Sequence, residues 1–277
     1  LGGSAAQKAS WLPPAIAGEK ILALAHARRG GRFDLTHTPV RATAADGGFR
    51  LAGQATQVWG GHLADAYVVV ARTAGQDGDR GGIALFLVPA QAPGLSRVRQ
   101  HRIDSLNVAQ LTFEDVAVQD SDALGGDGHT LLTRVIDEAT AALAGEMLGG
   151  MTEAFERTLA YLRERRQFGV AIGSFQALKH RAARLYIEIE LSRSAVMAAA
   201  RALDAESPEA PALVSLAKAR LSDAYCLVAN EAIQMHGGIG MTDEHDIGFF
   251  LKRARASEMT FGDAAYHRDR FAALGGF

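Results

Sequence analysis

Two stretches of this chain hold the residue types that could grip a charged ligand. Arg163–Gln176 reads RERRQFGVAIGSFQ and, about sixty residues later, Gln234–Gly240 reads QMHGGIG. Each joins a helix surface to a glycine turn. Guanidinium groups offer a fork of donors that fits phosphate, carboxamides add neutral donors, and glycines at a helix end open backbone N–H groups to an anion. With Phe168 alongside, the set suits a pyrophosphate-bearing cofactor. Taken singly, the pieces have plainer readings: RERR as a solvated helix face, and HGGIG as a helix C-cap.

These groups need elements to position them, and the chain changes character near residue 120. Before it, short apolar runs alternate with turn residues, so Lys20–Ala27, Phe49–Ala52, Tyr67–Ala71, Ile83–Val88 and Gln110–Phe113 read as strands. Asp46-Gly47-Gly48, Gly60-Gly61 and Gly75–Gly82 read as turns, and Pro89 and Pro93 stop the fourth strand. No helical pattern separates the strands, which points to an antiparallel barrel or sandwich. From about His129, apolar residues recur at helical spacing: Leu132, Ile136, Ala139, Leu143, Met147, Met151, Phe155, Leu159 and Leu162. Gly173 and Ser174 open a second helix, with Leu178, Ala182, Leu185 and Ile189 inward. Ser207 and Pro208 fit the N-cap and first position of a third, which runs to His236, where Gly237 is free to turn left-handed. A fourth begins near Asp243 with Ile247, Phe250 and Leu251. The expected fold is α+β: a helical remnant at 1–20 ending at Pro13-Pro14, a β domain at 21–120, and an antiparallel four-helix bundle at 121–277.

Bulk properties narrow the function. Among 277 residues, 48% are hydrophobic, enough for a sizeable core, and the net charge of −2 gives no electrostatic case for nucleic acid. The single cysteine, Cys226, excludes an intramolecular disulfide and fits a reducing cytoplasmic setting. No apolar run is long enough to span a bilayer. The chain starts at Leu1 and reads as a piece of a longer protein.

The ordered motifs resemble the acyl-CoA dehydrogenase family. They are Phe113-Glu114-Asp115-Val116 closing the β region, Glu164-Arg165-Arg166-Gln167-Phe168-Gly169 ending a long helix, Gln176 opening the next, and Gln234-Met235-His236-Gly237-Gly238-Ile239-Gly240. Trp11-Leu12-Pro13 with Gly18-Glu19 resembles the end of that family's N-terminal helical domain, the rest of which is absent here. The resemblance implies an FAD-dependent oxidation of an acyl-CoA thioester to the 2,3-enoyl product. A carboxylate removes the α-proton, the β-hydrogen leaves as hydride, and electrons pass to an electron-transferring flavoprotein. It implies that Arg165 and Gln167 face the FAD pyrophosphate and adenosine, and that Phe168 packs by the adenine. Gln176, Gln234, Gly237 and Gly238 would contact the dinucleotide of a neighbouring subunit, so the protein would be an oligomer.

The chain departs from the family at three places. The loop that carries TEP-x-x-GS in the family is here His26-Ala27-Arg28-Arg29-Gly30-Gly31-Arg32-Phe33-Asp34, whose arginines could hold phosphate or form a solvated turn. The tryptophan that lines the flavin is replaced at Gln57-Val58-Trp59, two places along and so on the same strand face. Gly262 stands where the family's base glutamate belongs, leaving Asp263 as the nearest carboxylate, with Glu138, beside a second family position at Ala139, as the alternative. Asp263 also reads as a capping residue, and Glu138 as an ordinary helix-start acid. A rival reading follows: a catalytically silent partner subunit of a mixed oligomer. Nine histidines form no metal-ligand spacing, so no metal is expected, and Ser174 lacks a hydrolase elbow.

Overall fold

The computed structural model describes residues 1–277, which fall into two compact units, Leu1–Val135 and Ile136–Phe277. The first unit opens with helix α1 (Ala5–Ile16), capped reciprocally by Ser4 and Gln7. The helix does not stop at Pro13-Pro14 but runs through them. Proline loses a donor yet keeps its carbonyl, and Ala17 N–H still bonds Pro13 O at 3.0 Å.

The rest of this unit is one seven-stranded sheet: β1 (Leu22–Ala25), β2 (Val40–Ala45), β3 (Gly48–Trp59), β4 (Ala66–Arg72), β5 (Ile83–Pro89), β6 (Leu95–Gln100) and β7 (Val108–Gln119). As expected, no helix lies between the strands. The sheet is mixed, however, because β1 and β2 both run parallel to β4 while its other pairings are antiparallel. β5 takes one edge of β4, so β1 and β2 share the other: β1 ends opposite Val69, and β2 begins opposite Ala71. Residues 26–39 thus leave the sheet and return almost where they left.

Leu51, Tyr67, Val69, Phe86, Leu111 and Phe113 fill the core beneath. β2 and β6 escape the hydrophobic reading because β2 buries only alternate residues at one end and β6 buries none. β3 passes Gly53, where φ is +144° and a Cβ would strike the Pro39 carbonyl, through a register shift that absorbs the turn signal.

Arg72, 2% exposed, ties the unit together. Its Nη2 donates to Thr36 O at 2.6 Å and Asp79 O at 3.0 Å, and its Nη1 to Gly81 O at 3.0 Å and Ala74 O at 3.3 Å.

The second unit is helical. α2 (Gly128–Glu164) leads through a two-stranded hairpin, β8 (Arg166–Gln167) and β9 (Val170–Ala171), to α3 (Gln176–Asp204). α4 (Ala210–His236), α5 (Ile247–Glu258) and α6 (Ala264–Leu274) follow. The apolar stripe of α2 is buried at Leu143, Met147, Met151, Phe155 and Leu162. Two ion pairs fix α3 antiparallel to α4: Arg181 with Glu231 at 3.1 Å and Arg220 with Glu188 at 2.7 Å. α4 begins later than Ser207 and Pro208 suggest. Those residues instead form a turn, with Ala210 N–H bonded to Ser207 O, before the helix starts. α6 is a fifth helix that the four-helix reading lacks.

Arg72→Met keeps most of the side-chain volume but strands four carbonyls. Urea unfolding should show a loss of about 3 kcal/mol. The exposed Arg50–Asp115 pair provides the contrast: Arg50→Met should stay within about 0.5 kcal/mol of the parent.

Candidate functional site

The residues expected to hold the cofactor come together at one end of the helical unit. Tyr161 near the end of α2 stacks on His236 at the end of α4, ring centroids 4.4 Å apart. The antiparallel register of α3 and α4 brings the start of α3 to the same end. Arg165, Gln167 and Phe168 therefore share this end with Gln176, Gln234, Gly237 and Gly238, and all are exposed.

The side chains of Arg165, Gln176 and Gln234 make no hydrogen bond or ion pair within the chain, whereas Gln167 Nε2 donates to Arg166 O at 2.8 Å. Phe168 is 90% exposed, at a φ of +54°, and meets Phe175 edge-on at 6.1 Å. Gly237 takes the expected positive φ, +68°, and at both Gly237 and Gly238 a Cβ would meet nothing within 4 Å. The space beside both glycines is open, while the Gly237 N–H closes the end of α4 by bonding Gln234 O.

His236 is packed rather than presented. Its Nδ1 donates to Ala232 O at 2.7 Å, its ring lies 4.6 Å from that of His245, and burial pushes its pKa below the usual value. No group of three or more His, Cys, Asp or Glu side chains is placed to hold a metal ion.

The candidate base residues lie elsewhere. Lys218, on α4, donates to Gly262 O at 2.6 Å, Glu258 O at 3.0 Å and Ser222 Oγ at 3.1 Å. It thereby ties the corner between α5 and α6 to a point sixteen residues before Gln234, about 24 Å along the helix axis. Asp263 is the N-cap of α6, its Oδ1 accepting from Tyr266 N–H at 2.8 Å. Glu138 sits on the exposed side of α2, while its neighbour Asp137 is buried and bridged by Arg270 at 2.6 and 2.8 Å. Gly262 is itself buried, with φ at +121°, and a Cβ there would lie 2.7 Å from His267 Nε2 and collide with Tyr266.

Sequence reasoning missed Lys218 and His267. A lysine in a helix reads as solvated, yet this one is fully buried, and burial draws its pKa down to about 8. His267 donates from Nε2 to Phe261 O at 3.1 Å. Burial first, then the charges of Lys218 and Arg270, hold its pKa at about 3.

Two further departures lie in the sheet unit. Arg28 is paired with Asp77 at 2.6 Å, while Arg29 and Arg32 are exposed. Trp59 is half-buried, with the Arg102 guanidinium 4.9 Å from its ring. It shares a face with exposed Gln57, the buried Val58 between them pointing the other way.

Residues 126–274 match the family model "Acyl-CoA dehydrogenase, C-terminal domain", and residues 23–116 match the middle domain. The chain belongs to the acyl-CoA dehydrogenase family, oxidoreductases acting on CH–CH bonds. It is 30% identical to a mitochondrial 2-methylacyl-CoA dehydrogenase of Solanum tuberosum over 276 residues, 96% of this chain and 65% of that protein. It thus spans about two thirds of the length of the curated relatives it matches. An acyl-CoA dehydrogenase from Geobacillus kaustophilus superposes with a TM-score of 0.94 at 27% identity, covering 99% of this chain and 73% of the other. A structure of PigA with FAD and proline gives 0.93 at 25% identity, covering 99% and 72%. No helix is long and apolar enough to cross a membrane.

Asp263→Ala should cost about 1 kcal/mol by removing the cap, while Asp263→Asn, an equally good cap, should leave thermal unfolding near the parent. His267 is neutral when folded and protonated when unfolded below about pH 6.5. Stability should therefore fall as pH drops from there toward 3, by up to about 1.4 kcal/mol per pH unit from this group. Urea melts of His267→Gln between pH 6 and 4 should show a slope shallower by about one proton.

Proposed function

We propose that this chain is the flavin-binding part of an oligomeric acyl-CoA dehydrogenase that converts an acyl-CoA thioester to its 2,3-enoyl product. The observation that carries this is the group of side chains at one end of the bundle. Arg165, Gln176 and Gln234 stand exposed with no partner in the chain, beside two glycines with open space where side chains would stand. Guanidinium and carboxamide groups fit a diphosphate, and the exposed Phe168 ring offers a flat apolar face to an adenine. Bound there, FAD would take up the hydride from the substrate's β-carbon. Arg165 and Gln167 would hold the phosphates, and Gln176, Gln234, Gly237 and Gly238 would serve a dinucleotide shared with a neighbouring protomer. The distance along α4 from these groups to the α5–α6 corner supports sharing: one protomer's phosphate-holding end is remote from its own base position.

The base position favours a second reading. Gly262 offers no carboxylate, and one oxygen of Asp263, Oδ1, is engaged in capping. On this reading the chain is the silent member of a mixed oligomer, contributing cofactor contacts while a homologous subunit removes the proton.

A visible spectrum of the purified protein tests both readings. Flavin bands are expected, with the flavin-to-protein ratio about tenfold lower in Arg165→Ala/Gln234→Ala. Absence of flavin from the chain, both alone and with a co-expressed homologue, overturns the proposal. If the chain supplies its own base, acyl-CoA bleaches the flavin of the isolated protein, and Asp263→Asn abolishes bleaching. If it is the silent member, bleaching needs the homologue and ignores Asp263→Asn.

A further inference from the structure

Residues 26–39 form a loop whose ends sit almost side by side on β4, since Ala25 lies opposite Val69 and Val40 opposite Ala71. Compact excursions of this kind are packed by their own residues and often carry function. This one is built from three successive turns, closed by Gly31 N–H to Arg28 O, Asp34 N–H to Gly31 O, and His37 N–H to Asp34 O. Its base is held rigidly: Arg72 donates to Thr36 O from beneath, Gln54 N–H bonds Pro39 O, and Thr56 N–H bonds Ala27 O.

The charges on the loop are unevenly matched. Arg28 is paired with Asp77 at 2.6 Å. Asp34 accepts from Thr36 and meets His37 at 3.0 Å, and Asp79 accepts from Gln76 N–H at 2.8 Å. The nearby carboxylates are thus engaged, while the side chains of Arg29 and Arg32 have neither hydrogen bond nor ion pair and are exposed. Each occupies the leading corner of its turn. Gly30 supplies the positive φ, +79°, that the first turn requires, but the second places Arg32 at +50°, where glycine or asparagine is the usual occupant. Arg32 holds this angle against backbone preference. Only Gly30 and Gly31 lie between the two, so their Cα atoms lie within about 11 Å, and two long side chains at that spacing can close on one group.

We infer that the 26–39 loop is an oxyanion site, in which Arg29 and Arg32 together clasp a phosphoryl or carboxylate group of the substrate. The inference rests on the acyl-CoA reading for the source of that group: either the phosphates of the CoA portion or a carboxylate borne by the acyl portion. Guanidinium forks suit both, because they can bind either group through two parallel hydrogen bonds.

Calorimetric titration of the full chain tests this with pyrophosphate, CoA, dephospho-CoA, pantetheine and glutarate as probes. Salt-sensitive binding is expected, weakened at least tenfold in Arg29→Gln/Arg32→Gln but unchanged in Arg50→Gln, whose parent residue pairs with Asp115. Arg32→Gly suits the backbone angle, so it should also weaken binding while leaving the melting temperature unchanged or raised. Binding of CoA and pyrophosphate but not pantetheine identifies a phosphoryl group, with dephospho-CoA separating the terminal phosphate from the diphosphate. Binding of glutarate alone identifies a carboxylate. Equal binding by the double variant, or no binding of any probe to the parent at millimolar concentration, overturns the inference. Pyrophosphate and glutarate need no flavin. A chain lacking flavin would therefore defeat the functional proposal while leaving this result to stand alone.

Discussion

The helical unit is organised around α4, which is buried on most of its circumference against α3, α5 and α6. A helix surrounded in this way must satisfy its own polar groups inside the protein. Lys218 does so by giving its protons to two carbonyls and a hydroxyl, His236 by bonding back to Ala232 O, and Ser215 by accepting from Arg270 of α6, which also bridges Asp137. These contacts set where α5 and α6 sit. The corner at Gly262, the cap at Asp263 and the exposed turn at Gly237 all inherit their positions from this one helix.

The sheet unit obeys the same rule by different means. Arg72 ends the central strand under a set of loop carbonyls, and its burial converts a surface-type residue into the fastener of two loops. In both units a long cationic side chain, fully desolvated and surrounded by backbone oxygens, fixes an irregular segment that hydrophobic packing alone leaves undetermined.

This division explains what could be read from the sequence. The apolar stripe from Leu132 to Leu162 announced α2 because helical periodicity is written directly in residue spacing. The glycine turn at Gly237 and the exposed arms at Arg165 and Gln176 were legible because their residue types have few other uses together. Periodicity carries no information about which strand pairs with which, so the parallel neighbours of β4 were invisible. β6 was missed because it buries no residue, and the true start of α4 because Ser207-Pro208 makes an equally good turn. That Gly262 stands where the resemblance leads one to expect a carboxylate was plain from the order of the motifs. That His267 and Tyr266 had filled the space was not, since their side chains reach back over the corner only once α6 has formed.

The geometry at Gly262 also bears on how this lineage can change. A glutamate introduced there meets an unfavourable backbone angle, a histidine ring and a tyrosine ring at once. Seating a carboxylate at that spot calls for at least one accompanying replacement on the following helix. The glycine and the two rings are thus coupled, and a carboxylate at this corner is more readily seated at a neighbouring position than at Gly262 itself.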